Sequence, residues 1–318
     1  MIYTFDLSLV IPVLNEEENI KELYNRISSH LEHSGLQYEI IFVDDCSSDK
    51  SYEIIKSLSI GDNSIKAIRF SRKFGYQESI YCGLENSNGN YIITMDSDLQ
   101  HPPEYILDLI KKSKEGYDIV NMVRRKKTTN SLIKKLGSSF FYKIINYLSP
   151  TSIVNESADF RLYTRKAINK IKLFPEKGLF IRGLVGWIGF KQVDLMFEEQ
   201  KRRHGKSKFN IIRLIRFALK AITSFSTSPL YFSIYTGFLL SSIGITYGLL
   251  ITIRVLFLNE VYDKGWASII SLLLFIGGLI MIMLGIIGVY LSVIFKEIKM
   301  RPRYIIDKEI GFDKNTNS

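Results

Sequence analysis

Over the first 125 residues, apolar and polar positions are arranged in short bursts, each closed by polar residues and followed by a helical repeat. "DLSLVIPVLNE" reads as a buried strand ending at Pro12, with a helix expected from about Glu17 to His33. "YEIIFVDDCSSDKS" repeats the pattern: an apolar strand, two acids at its end, then a capped helix from about Asp49 to Leu58. "IKAIRFS" predicts a third strand and "QESIYCGLENS" its helix. A fourth strand falls on "YIITMDSD" and a fifth on "YDIVNMVR". Between them, "PPEYILDLIKKSKEG" starts a helix on proline, where the missing N–H costs little. Strands alternating with helices predict an α/β domain with a mostly parallel, Rossmann-like sheet. Such folds bind ligands at the carboxyl ends of their strands. Those ends carry Asn15 and Glu16, Asp44 and Asp45, and Asp96 and Asp98.

The pattern changes after residue 208. No charged residue occurs from Ala221 to Ile253 or from Ala267 to Phe295, and a bilayer-spanning helix needs only about 20 residues. The overall apolar content of 46% hides this split. The expected organisation is a soluble domain over 1–208, an interfacial amphipathic helix within 209–228, transmembrane helices at 229–258 and 266–295, and a basic tail at 296–318. "FNIIRLIRFALK" gathers Arg213, Arg216 and Lys220 on one face of a mostly apolar helix, as membrane-surface helices do. Gly237, Ser241, Gly244 and Gly248 form a small-residue stripe on the first long helix, and Gly278 and Gly285 mark the second; they serve close helix packing or are incidental.

Charge sharpens this layout. The net charge is +10, and Lys201 to Lys220 holds eight Lys or Arg and no acid. Lys296, Lys299, Arg301 and Arg303 follow the last apolar run, while the turn from Leu258 to Gly265 carries Glu260 and Asp263. By the positive-inside rule the N-terminal domain and both termini are expected to be cytosolic, on a multi-pass protein of the plasma membrane. The basic clusters flank the apolar runs, where anionic lipid headgroups lie, so no nucleic-acid partner is expected. The opening residues read as a strand rather than a signal peptide. Cys46 and Cys82 form no metal pattern and fit a reduced compartment, and His30, His33, His101 and His204 show no ligand spacing.

The chemistry concentrates in two stretches. In "MDSDLQHPPE", two aspartates spaced two apart at a strand end suit a hard divalent ion that keeps positions open for phosphate oxygens. An isolated D-x-D is a weak signal; the acids on the neighbouring strand ends strengthen it. In "EEQKRRHGKSKFN", Gly205 sits among Arg203, His204, Lys206, Ser207 and Lys208. That loop is either a solvated linker or a lid of phosphate donors opposite the metal. Ser71, Arg72 and Lys73 close the third strand, as binding residues or as plain loop. "KGLFIRGLVGWIGF" is an apolar helix that lines the site or packs in the core.

Taken in order, "LSLVIPVLNEEENI", "IIFVDDCSSDKS", "RFSRKFGYQESI", "ITMDSDLQHPPE", "ESADFRLYTR" and "RRHGKSKF" resemble the motifs of the family 2, GT-A-fold glycosyltransferases. The similarity is greatest to the polyprenyl-phosphate sugar transferases, and covers nearly the whole chain. It implies that Pro12, Asn15 and Glu16 line a nucleotide pocket, that Asp44 and Asp45 hold base and ribose, and that Ser71 lies near them. It implies Mg²⁺ or Mn²⁺ at Asp96, Asp98 and Gln100, and phosphates at Arg203, Lys206, Ser207 and Lys208. Asp98 and Asp159 are the implied catalytic acids; Asp159 acts as a base, contacts sugar or acceptor, or is structural. Arg161 is placed at the acceptor phosphate. The implied partners are a nucleotide sugar, most of all UDP-glucose, and a polyprenyl phosphate at the membrane, with an inverted product. A homo-oligomer, a tetramer, is the implied assembly. One position departs from the family: Cys46 stands where a glycine follows the paired acids. A processive polysaccharide synthase would carry Q-x-x-R-W, which this chain lacks. A transporter would need more than Arg254 as intramembrane charge.

Overall fold

The computed structural model describes residues 5–125, 157–174, 181–198, 228–258 and 265–312. It divides into two units: 1–143, 151–210 and 301–318 form the first, and 144–150 with 211–300 the second. The expected basic loop at Arg203, Lys206, Ser207 and Lys208 and the amphipathic segment after it lie outside the described residues.

The first unit is built on one eight-stranded sheet. Its strands are β1 (Phe5–Val13), β2 (Tyr38–Asp44), β3 (Ile65–Phe70), β4 (Gly89–Thr94), β5 (Ile119–Arg124), β6 (Ser157–Thr164), β7 (Gln192–Phe197) and β8 (Ile306–Ile310). They run in the order β7-β5-β6-β4-β1-β2-β3-β8. β1 pairs in parallel with β2 and β4, and β2 with β3. The five strands expected from the apolar bursts are all present. The helices between them are α1 (Ile20–Leu31), α2 (Ser51–Gly61), α3 (Tyr76–Asn86) and α4 (Ile106–Lys114), followed later by α5 (Arg165–Ile171) and α6 (Ile181–Trp187).

Alternation along the strands explains why both faces are covered. Leu7, Leu9, Ile11 and Val13 face a core shared with α1, α2 and α4, while Val10 faces one built by α3, α5 and α6. On β2, Ile40 and Phe42 point one way, Ile41 and Val43 the other. All are essentially inaccessible, as expected of a parallel sheet covered on both sides. α3 comes so close to β1 that a Cβ at Gly83 would lie 2.2 Å from Val10 Cγ1.

Two strands modify the parallel expectation. β6 inserts between β4 and β5 and runs antiparallel to both. β8 follows the last long helix and adds antiparallel to the edge strand β3. Residues 301–312, expected within a basic tail, therefore return to the sheet.

The second unit holds two long helices, α7 (Ser228–Leu258) and α8 (Trp266–Ile298). Among the described residues, Phe275–Ile298 has the length and apolarity of a membrane-crossing helix, with a mean hydropathy of 2.5 and none of it buried inside the protein. Of the glycine stripe, Gly237 backs onto Met283, whose Cε would lie 3.4 Å from an added Cβ, whereas Gly278 and Gly285 have nothing within 4 Å.

Candidate active site

The loops after β1, β2, β3 and β4 meet at the carboxyl edge of the sheet, and three of them turn through backbone that L-residues seldom adopt. Asn15 and Cys46 each have φ of +56° and Leu99 has φ of +63°. The left-handed turn at Cys46 accounts for the glycine common at that position in the resembling family, since only glycine adopts it without steric cost.

The β1 and β2 loops are laced together. Asn15 Oδ1 accepts the Ser48 N–H at 2.8 Å, and the Asn15 N–H donates to Ser47 Oγ at 3.0 Å. The Glu16 N–H donates to Ser51 Oγ at 2.9 Å, while Glu16 Oε2 accepts from Asn19 Nδ2 at 2.6 Å. The Pro12 carbonyl accepts from Ser97 Oγ at 2.9 Å, which joins the β1 end to the Asp96–Asp98 turn.

Asp44 and Asp45 are committed within the protein. Asp44 Oδ1 accepts the Ser47 N–H at 3.1 Å, and Oδ2 lies 3.5 Å from Arg69 Nη1. Burial pushes the Asp44 carboxyl above the usual carboxylate range, although the Ser47 hydrogen bonds and Arg69 pull the other way. Asp45 Oδ1 accepts the Phe74 N–H at 2.6 Å, and Oδ2 accepts the Gly75 N–H at 3.0 Å. Gly75, with φ of +111°, makes that sharp approach to α3 feasible. Ser71 is exposed at the end of β3, its N–H bonded to the Ile305 carbonyl at 3.0 Å.

Beyond β4 the acids crowd one another instead. Burial raises the Asp96 carboxyl, Asp159 and Asp98 raise it further, and His101 and Tyr76 oppose them. The Tyr76 hydroxyl donates to Asp96 Oδ1 at 2.6 Å. Asp98 is buried, and its Oδ1 accepts the Gln100 N–H at 3.2 Å, so Gln100 is held beside it. Asp159 reaches the cluster because β6 pairs with β4; its carbonyl accepts from Thr94 Oγ1 at 2.7 Å. Arg161 lies two residues further along β6, opposite Thr94, and is buried. Asp159 is thus brought to the Asp96 and Asp98 turn, while Asp44 and Asp45 belong to a separate, internally bonded group.

A donor set of two strand-end carboxylates whose charges repel suits a hard divalent cation. Among the described residues no three His, Cys, Asp or Glu side chains form a ready-made cage. Asp96 and Asp98 therefore fit an ion that takes its remaining oxygens from Gln100, water or a phosphate.

His101 was not expected to matter. It is fully buried, stacks on Phe160 with ring centroids 5.2 Å apart, and its Nδ1 accepts the Asp96 N–H at 2.9 Å. Its Nε2 stands 3.5 Å from Asp96 Oδ2. His101 thus holds the turn from beneath. The only signal in the sequence is its place directly after "DSDLQ".

Residues 8–172 match the family model described as "Glycosyl transferase family 2". The chain belongs to this family. An uncharacterized glycosyltransferase of Bacillus subtilis, YkcC, is 38% identical over 306 residues, 96% of this chain and 94% of its own length. The SfII prophage-derived bactoprenol glucosyl transferase of Shigella flexneri is 38% identical over 303 residues, 95% of this chain and 97% of its own. Among solved structures, the mannosyltransferase PcManGT of Pyrobaculum calidifontis, in complex with GDP-Man and Mn²⁺, matches with a TM-score of 0.50. That match is 15% identical and covers 70% of this chain and 64% of the other. It supports the family fold, a mostly parallel mixed sheet.

Proposed function

We propose that this family 2 glycosyltransferase moves a hexose, glucose from UDP-glucose, onto undecaprenyl phosphate at the cytosolic face of the plasma membrane, for surface-glycan modification. The observation that carries the reading is 38% identity over 95% of the chain to a protein named as a bactoprenol glucosyl transferase. The crowded acids at the end of β4 support it from the side of the chemistry. In this reading 1–208 is the catalytic domain, 209–228 lies in the interface, and 229–258 and 266–295 both cross the membrane. With two helices per chain, the protein assembles as a homo-oligomer.

Pro12, Asn15, Glu16, Asp44, Asp45 and Ser71 line the nucleotide, with Asp96 at its diphosphate end. Asp96, Asp98 and Gln100 would hold Mg²⁺ or Mn²⁺. When bound, the ion neutralises charge that develops on the departing diphosphate. Arg203, Lys206, Ser207 and Lys208 meet the same phosphates from the opposite side. An oxygen of the lipid phosphate forms a bond to the anomeric carbon as the bond from that carbon to the UDP oxygen breaks. A phosphate monoester with its second pKa near ~6 is already largely dianionic at neutral pH, so no proton need be removed. Asp159 accordingly orients the sugar and acceptor, and Arg161 places positive charge beneath the acceptor phosphate. Attack opposite the leaving group inverts the anomeric centre.

The test is transfer from a panel of labelled nucleotide sugars to undecaprenyl phosphate in membranes holding the protein. UDP-glucose should give metal-dependent labelling of the lipid with an inverted linkage. Labelling from GDP-mannose, UDP-galactose or UDP-N-acetylglucosamine instead would replace the donor but keep the class. No lipid labelling from any donor would refute the reading.

A further inference from the structure

The segment that follows α8 reaches the donor side of the site. β8 pairs with β3, with a register irregularity between Arg69 and Phe70, just before the β3 loop begins. Such irregularities re-aim the chain that follows. Ahead of β8, the Tyr304 ring stacks on Phe70 with centroids 5.0 Å apart, and its hydroxyl bonds Glu85 of α3. Arg303 lies 3.9 Å over the Tyr81 ring and donates to the Phe174 carbonyl. Ile305 then accepts the Ser71 N–H at 3.0 Å.

From that point the loop 71–76 touches each part of the site in turn. Ser71 is tied to the returning segment, Phe74 and Gly75 give their N–H groups to Asp45, and Tyr76 gives its hydroxyl to Asp96. One short loop therefore links the C-terminal segment, the paired acids of β2 and the acid cluster of β4. β3 would be the edge of the sheet without β8, and an unpaired edge leaves its backbone groups free to shift.

We propose that Tyr304 and Ile305 are positioning residues for the donor nucleotide, acting through the 71–76 loop rather than by touching the reacting atoms. This rests on the donor-site reading above. The residues that continue from α8 then set how well the nucleotide is held, while the acceptor side depends on other elements.

The test is steady-state kinetics on the full chain in nanodiscs, with UDP-glucose, undecaprenyl phosphate and Mg²⁺. Tyr304→Ala should raise the donor KM about tenfold, a size usual for coupling between separate elements. Its kcat and acceptor KM should stay within about twofold, as should all constants of Tyr304→Phe, which keeps the ring stack. A merely structural role would lower kcat through loss of active protein and leave the donor KM unchanged; that result overturns the proposal. A second measurement needs no variant. Because linkage is reciprocal, saturating UDP and Mg²⁺ should slow hydrogen exchange at the Ser71 amide and along β8 in the wild-type chain. UDP that binds without changing that exchange overturns this inference alone. A wild-type chain that binds neither UDP nor UDP-glucose overturns the donor-site reading and this inference with it.

Discussion

Two groups of acids stand along the same edge of the sheet, and the protein treats them in opposite ways. Asp44 and Asp45 at the end of β2 are surrounded by donors: Ser47, Arg69, and the N–H groups of Phe74 and Gly75. At the ends of β4 and β6, burial raises the proton affinity of Asp96, and the nearby Asp159 and Asp98 add to it. The first group organises the loops around the proposed nucleotide site. The second concentrates negative charge, an arrangement that costs stability unless a cation offsets it. Acids of one type, two strands apart, are thus tied into loop structure in one place and crowd one another in the other.

The sharpest way to break this contrast is to remove one acid from each group. Asp98→Ala should cost about 10²–10³-fold in transfer, the scale of losing one group that supports charge in the transition state, with thermal stability held or raised. Full metal-dependent transfer by that variant would collapse the distinction. Asp45→Ala should do the reverse in its first effect. It leaves the Phe74 and Gly75 N–H groups without their charged acceptor, and unfolding should become easier by about 2–3 kcal/mol, measured by denaturant titration. An unchanged unfolding midpoint would mean that the 71–76 loop is not held as described.

Asp44 gives a finer test because its sign is opposite. Burial holds its carboxyl above the ordinary range, so the folded chain binds that proton more tightly than the unfolded chain. The ionised form is therefore a destabilising contribution at neutral pH. It fades as pH falls through the raised value toward the ordinary carboxylate range. Asp44→Asn should melt higher than wild type at pH 7, with the gap closing in acid, while the donor KM rises. A gap that widens in acid would contradict the role assigned to burial. The smallest effect belongs to Cys46. Its left-handed backbone costs about 1–2 kcal/mol in a non-glycine residue, and glycine returns about 0.4–1 kcal/mol of that through the unfolded chain. Cys46→Gly should therefore stabilise by between about 0 and 1.6 kcal/mol and leave transfer unchanged.

The parts legible in the sequence are those written in short-range patterns. β1 to β5 appear where the apolar bursts fall, because a strand buried on both faces must be apolar throughout. Helix ends differ by a few residues; α1 begins at Ile20 rather than near Glu17, and α2 runs on to Gly61. The acids at the strand ends were visible for the same local reason. What the sequence hid depends on pairing across long separations. β6 is sandwiched between β4 and β5 far earlier in the chain, and that placement delivers Asp159 to Asp96. β8, with the sequence IDKEI, exposes Asp307, Lys308 and Glu309 and so reads as a polar tail. Edge strands carry such charge because only their backbone is needed for pairing. His101 was unreadable because its role is a hydrogen bond from a backbone N–H, which leaves no periodic trace.

The central claim is that the β4 acids hold a divalent cation together with a nucleotide diphosphate. It is tested most directly by titrating Mn²⁺ into the purified full-length chain with UDP present and following free Mn²⁺ by electron paramagnetic resonance. Wild type should take up one Mn²⁺ per chain only when UDP is present, Asp98→Ala should lose that uptake, and Cys46→Gly should keep it. Equal uptake by wild type and Asp98→Ala would contradict the account.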